Sequence, residues 1–445
     1  MIDRYLFRHI DNSALIVFRI AFGLLIFLEA IGAILTGWVK RTMIDPQFTF
    51  SFIGFDWLQP LPGYGMYVYY VIMGVFGLFV MLGYKYRFSI IAYTILWAGT
   101  YFMQKSSYNN HYYLLVLLCM IMAILPANRW ASLDAKFNPK IKEISMPNWC
   151  SWILILQMWI VYTYASIAKM YPDWLDTSVV ELLLRGKAHY YIIGDLMQQK
   201  WFHYFIAYSG LLFDLLVIPL LLLKPTRKFA FLASIFFHLF NSIVFQVGIF
   251  PYMSLALCMF FFPPAVIRSI FLKKKPAFNE QKMQLPSLRN VAYIAAAVYF
   301  MIQIALPLRH WFIRDNVLWT EEGHRLSWRM MLRSRSGTAS YRVVDSKTNT
   351  VTHINMTKYL SEKQKNLAST RPDIIWQFAQ HLKADYKTKG QDVSVYVNCS
   401  VSVNGRPYQK LIDPNVDLAS VKWDPFRHSD WILPSNLDKN NASNP

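Results

Sequence analysis

Nine apolar stretches, each close to the ~20 residues that a helix needs to cross a bilayer, recur at about 14–35, 64–83, 88–105, 111–127, 149–169, 204–223, 229–249, 250–272 and 289–307. A soluble fold cannot hide that much apolar chain, and the composition agrees: 55% of the 445 residues are hydrophobic and only 16% are charged. The pattern predicts a polytopic α-helical membrane protein with eight or nine transmembrane helices. The first stretch is too long for the apolar part of a signal peptide, and no small-residue cleavage site closes it, so it is expected to be retained.

Basic residues cluster in alternate connections: Arg4 and Arg8, then Lys85 and Arg87, then Arg129 to Lys142, Lys224 to Lys228, and Lys273 to Lys275. These loops are expected to be cytoplasmic. With nine spans the N-terminus lies inside, and everything after about residue 308 is extracytoplasmic, on the outer face of a cell (inner) membrane. The net charge of +19 is spread over both sides with no basic arm, so anionic lipid is the expected partner and nucleic acid is not. Cys119 and Cys258 lie in spans, Cys150 opens one, and Cys399 stands alone beyond them, which leaves no disulfide framework. No metal-ligand spacing occurs either, and no metal is expected.

After the transmembrane domain (1–307) the texture turns polar and alternating, which predicts a small α+β extracytoplasmic domain over 308–445. "VSVYVNCSVSV" (393–403) reads as a strand with Asn404-Gly405 as its hairpin turn, and "YRVVDSKTNTVTHINM" reads as a second hairpin. Pro372 opens a helix with an Ile375/Phe378/Ala379/Leu382 stripe that Gly390 stops. A disordered tail is expected from about 436.

Ionisable residues inside spans are costly and therefore mark candidate sites. Glu29, Asp214 and His238 are of this kind, and Asn241 shares a helix face with His238. Lys169 and the Asn109-Asn110-His111 triplet approach the membrane from the outer side. Each has a plainer reading: Lys169 as a snorkelling anchor, His111 as a helix cap, His238 and Asn241 as interhelical hydrogen-bonding groups, Glu29 and Asp214 as packing partners. Residue types and spacing leave both readings open.

The segment "VYTYASIAKMYPDWLD" resembles the active-site stretch of the vitamin K-dependent γ-glutamyl carboxylase family, an aromatic-rich helix with a lysine ahead of Asp-Trp. "FRIAFGLLIFLE", "LGYKYR", "YNNHYYL", "GLLFDLL", "FHLFNSIVFQVGIFPY", "SWRMMLRSR" and "IDPNVDLASVKWDPFRHSDW" are similar to family blocks in the same order, across nearly the whole chain.

The resemblance implies a reduced vitamin K or menaquinol-like naphthohydroquinone as cofactor, with O2 and CO2 as co-substrates. A base deprotonates the hydroquinone, oxygen adds, the resulting alkoxide removes a glutamate γ-proton, and the carbanion takes up CO2 while quinone epoxide is left. Lys169 matches the family base and His111 the histidine of the carboxylation half. Asn109 and Asn110 would orient His111 and, with Tyr162, His238 and Asn241, contribute to the quinone site. Ala168 replaces a lysine found in some members, and Tyr108 a usual tryptophan. A free lysine, with a pKa of ~10.4, is no base at neutral pH; withdrawal from water disfavours its ammonium, and an apolar helix end is expected to do this for Lys169.

Trp328, Arg333 and Arg335 are the candidate contacts for the substrate, a glutamate-containing peptide or exported protein, although surface arginines are ordinarily just solvated. The run before Ser-Trp reads "WTEEGHRL", where carboxylases of animal clotting factors are Gly- and Tyr-rich, and the protein is expected to lack the long additional outer region of those enzymes. The short loops suit a bacterial member. The competing readings are a quinone epoxidase or oxygenase without peptide carboxylation, and a non-enzymatic membrane protein that binds quinone or lipid.

Overall fold

The structure, a computed structural model, describes residues 2–280 and 282–437. The main helices of the N-terminal region are α1 (Ser13–Leu35), α2 (Gly65–Leu82), α3 (Tyr86–Met103), α4 (Asn110–Ile124), α5 (Trp149–Ile167), α6 (Lys200–Leu222), α7 (Arg227–Phe240), α8 (Phe250–Leu257), α9 (Pro264–Phe271) and α10 (Arg289–Leu308), with shorter connecting helices between them. Among the described residues, six helical stretches are long and apolar enough to cross a membrane: α1, α2, α5, α6, α7 continued to Phe245, and α10 continued to Phe312. The chain is an integral membrane protein.

The expected span at 250–272 is not one helix. Phe262 is extended (φ −90°, ψ 151°) and α9 begins at Pro264. A proline disfavours the helical region for the residue before it, and Pro263-Pro264 supplies no backbone donors to carry the helix through.

Helices α1 and α2 touch backbone to backbone. A Cβ on Gly23 would lie 2.3 Å from the Met81 nitrogen, and one on Gly77 2.9 Å from the Phe27 nitrogen. Such approach lets helices associate by contact where lipid offers no hydrophobic drive. Gly77→Val is expected to push them apart at a cost of about 1–3 kcal/mol, seen as a lower melting temperature in detergent; an unchanged melting temperature would show that the contact is slack.

The C-terminal domain holds a four-stranded antiparallel sheet in the order β2-β1-β3-β4, with β1 at Arg335–Asp345, β2 at Val351–His353, β3 at Val393–Val403 and β4 at Gln409–Lys410. Both expected hairpins form. Asn404 and Gly405 take φ 52° and 78° between β3 and β4, the left-handed pair that a tight hairpin turn requires. Helix α11 (Pro372–Thr388) presents Ile375, Phe378, Ala379 and Leu382, all fully buried, in one core with the alternate β3 residues Val393, Val395, Val397 and Cys399.

The tail is anchored further than expected: Ser435 donates to Asp315 and Leu437 is buried. The remainder of the expected disordered tail, 438–445, lies outside the described residues.

Buried ion pairs lock the two domains together. Asp373, in the first turn of α11, forms an ion pair with Lys105 and accepts from Arg325, each at 2.8 Å. Asp173 accepts from Arg406 at 2.5 and 2.7 Å and from Asn404 at 2.7 Å. This docking lays the C-terminal domain over the ends of α4 and α5, where the candidate site residues stand.

Candidate active site

Helix α5 ends at Ile167, and the chain turns before the short helix Pro172–Leu175. The turn directs Lys169 inward. Its side chain is 9% exposed, and Nζ donates to the Ala165 carbonyl at 3.2 Å and to Asp214 Oδ2 of α6 at 2.5 Å. The Trp174 ring centroid lies 5.5 Å from the same nitrogen. Lys169 therefore does not snorkel. Nor does it stand alone at an apolar helix end as expected, since the Asp214 carboxylate shares the site.

Lys169 and Asp214 open on an apolar cavity of about 110 Å³. Trp174, Phe237, Phe240 and Phe250 give it aromatic walls, and its few polar groups include Tyr162, His111, His238 and Asn241. The Tyr162 hydroxyl and His238 Nε2 are 2.9 Å apart. The His111 ring lies flat on Phe250, with centroids 4.2 Å apart and 18° between planes, while His238 meets Phe250 edge-on. Asn241 begins a π-helical turn, Asn241–Phe245, and donates to the Phe237 carbonyl; such widened turns recur at functional sites. Six of the residues singled out in the sequence, Lys169, Asp214, His111, Tyr162, His238 and Asn241, thus meet around one cavity. Glu29 lines neither this cavity nor the next.

A second, polar cavity of about 390 Å³ lies on the other side of His111. The two share His111, Phe245, Val247, Met330 and Met331 as a common wall. Met330 and Met331 come from the segment between α10 and β1. There Glu321, Leu326, Trp328 and Met331 all have φ between 56° and 60°, a left-handed backbone that costs each side chain roughly 1–2 kcal/mol. Strain of this kind persists where surrounding contacts over-determine it.

Five expected roles change. Asn109 does not orient His111; its side chain caps α4 by accepting from the Tyr112 amide at 2.7 Å. Asn110 accepts from the Tyr108 hydroxyl and donates to the Arg329 carbonyl, which ties α4 to the strained segment. Both asparagines line the polar cavity and neither lines the apolar one. Trp328 is 1% exposed and stacks on Tyr113, so it cannot meet a peptide at the surface. Arg335 is buried too and donates to the Leu318 and Trp319 carbonyls at 2.5 and 2.9 Å. Arg333 does line the polar cavity, but its fork is engaged bidentately by Glu321, which also accepts from Arg371. Burial works against ionisation of Glu321, yet Arg371 and the arginines around it hold its carboxyl below the ordinary glutamate range. His324, in the same wall, is pulled down to about 3, first by burial and further by Arg329, Arg371 and Arg325. It is neutral at physiological pH, so the charges facing the polar cavity are those of its lysine and arginines.

The sequence reading missed the partnership of Lys169 with Asp214. The signal was present: opposite charges in two apolar segments are expected to find each other. It also missed the wall formed by Met330 and Met331, because nothing in the chain shows that a strained loop about 220 residues away closes over His111.

Residues 7–265 match the HTTM domain family, and residues 288–438 match the lumenal domain of vitamin K-dependent gamma-carboxylase. No solved structure gives a significant match. The first match covers the helices that carry Lys169, Asp214, His111, Tyr162 and His238. The second takes in the strained segment that closes both cavities, together with the sheet domain behind it. With both halves of the site matched in their expected order, the chain belongs to the vitamin K-dependent gamma-carboxylase family.

Proposed function

We propose that the protein is a lyase of the peptidyl-glutamate 4-carboxylase type. It carboxylates glutamate side chains of an exported protein or peptide with a reduced vitamin K or menaquinol-like naphthohydroquinone, O2 and CO2, in a bacterial-type membrane with the C-terminal domain outside. The observation that carries this reading is the shared wall: an apolar cavity with a buried amine on one side, a polar cationic cavity on the other, and His111 on both faces.

The apolar cavity suits a fused aromatic ring. Trp174, Phe237 and Phe250 offer flat surfaces, and Lys169, His238 and Asn241 offer polar groups for ring oxygens. When bound, a naphthohydroquinone with dioxygen supplies the strong base that a glutamate γ C–H demands. Lys169 takes the hydroxyl proton at Nζ. Asp214, 2.5 Å away, makes that possible, because its carboxylate can hold the lysine's own proton and leave a neutral amine without stranding charge in an apolar site. Met330, Met331, Phe245 and Val247 keep water of the polar side from the apolar one. His111 stands at the boundary where the glutamate carbon must meet CO2 and stabilises the carbanion or its encounter with CO2.

The test is to give the purified protein reduced naphthoquinone, oxygen, labelled bicarbonate and a glutamate peptide. Label in the peptide together with quinone epoxide is the expected result; epoxide without label would favour the epoxidase reading. In His111→Ala, label incorporation is expected to fall about 10²-fold or more with epoxide formation retained. Equal loss of both products would refute that division of labour.

A further inference from the structure

Five residues with cationic side chains line the polar cavity, Lys105, Arg325, Arg329, Arg333 and Arg371, and Arg329 also lines an adjoining cavity of about 450 Å³ together with His310 and Tyr171. Four are matched by carboxylates, Lys105 and Arg325 by Asp373, and Arg333 and Arg371 by Glu321. Arg329 is not. Among the described residues no carboxylate lies within ion-pair distance of it; its Nη1 is 3.4 Å from His310 Nε2, and its Nε is buried without a partner. Yet Arg329 is only 8% exposed. A buried guanidinium without an anion is costly, and the backbone that places it is strained at Trp328 and Met331 and fixed by the hydrogen bond from Asn110 to its own carbonyl.

We infer that Arg329 is the anion-binding residue of the polar cavity and takes a planar carboxylate-type oxyanion, either the γ-carboxylate of a glutamate side chain or bicarbonate. The inference rests on the reading of this cavity as the substrate side of the site. The planar fork of arginine matches two oxygens of such an anion. For glutamate the charge does more than hold: loss of a γ-proton spreads negative charge onto the adjoining carboxylate, and a desolvated guanidinium there stabilises it. Arg329 is thus a specificity-determining residue, where Arg333 and Arg335 are held by the protein itself.

The experiment uses the full-length protein in lipid nanodiscs without quinone, comparing wild type, Arg329→Gln, Arg329→Lys and, as control, Arg342→Gln at the exposed face of β1. One arm measures binding of a fluorescent glutamate peptide against the same peptide with glutamine. The other measures the thermal shift given by sodium bicarbonate against sodium chloride. Arg329→Gln is expected to weaken the responding anion by about 10- to 100-fold. Arg329→Lys, which keeps the charge and loses the fork, should fall between, and Arg342→Gln should match wild type. A response in the peptide arm identifies the glutamate carboxylate as the occupant, and a response in the bicarbonate arm alone identifies the one-carbon substrate. Should Arg329→Gln fail to fold, Arg329→Lys decides by the same comparison. Wild-type affinities in both arms for the folded variants, or no anion bound by wild type, would overturn the inference. Anion binding that depends on Arg329 in a protein that carboxylates nothing would leave the inference standing and remove the proposed function.

Discussion

Lys169→Ala will slow quinone epoxidation by about 10²- to 10⁴-fold, the span associated with loss of a positioned proton-transfer group. It will also lower stability, and the two losses will separate. The single change leaves the Asp214 carboxylate buried in an apolar wall with its only ion-pair partner among the described residues removed. Breaking a buried pair from one side costs about 3–5 kcal/mol, because the remaining charge is uncompensated. Lys169→Ala/Asp214→Ala removes both charges, so much of that stability should return while epoxidation stays lost. Melting temperatures in detergent and chromatographic assay of the epoxide check both halves. If the double variant regains activity along with stability, Lys169 is a structural cation and the base lies elsewhere.

The segments that became helices were legible because length and apolarity are local properties. So were the two hairpins and α11, where turn residues and a periodic stripe agree. The failures share a different cause. Pro263-Pro264 was hidden inside an apolar run whose hydropathy never fell, although the backbone cannot pass it as one helix. The arginines of "RMMLRSR" read as surface groups because charge suggests solvent, yet Glu321 and two backbone carbonyls take them inward. Which arginine is left without a carboxylate depends on where Glu321 and Asp373 land, and no local pattern encodes that. Five of the cavity residues stood out as polar groups in or near apolar spans, and a resemblance added Tyr162 and their roles; the two-chamber arrangement that relates them emerged only from their packing.

Asp373→Asn will loosen the C-terminal domain from the helices at neutral pH. The carboxylate is 6% exposed and is shared by Lys105 and Arg325 from either side of the domain junction. An asparagine leaves those two cations buried without their counter-charge, a loss of about 3–5 kcal/mol, with a smaller loss from removing an anion at the start of α11. Burial alone would favour the protonated acid, but Arg325 and Lys105 outweigh it and hold Asp373 well below the ordinary carboxylate range. The unfolded state, with a carboxyl near ~3.9, therefore binds the proton more readily than the folded one. This stabilisation is complete above about pH 4 and is lost as pH falls below it toward the folded value. Hydrogen exchange across Pro372–Thr388 and thermal unfolding should thus be insensitive to Asp373 between pH 7 and pH 5 in the wild type and fall off in acid. The Asn variant should start less stable at pH 7 and show a shallower acid decline. Wild-type protection at pH 7 together with an unchanged acid slope would mean that this ion cluster does not hold the domain over the site.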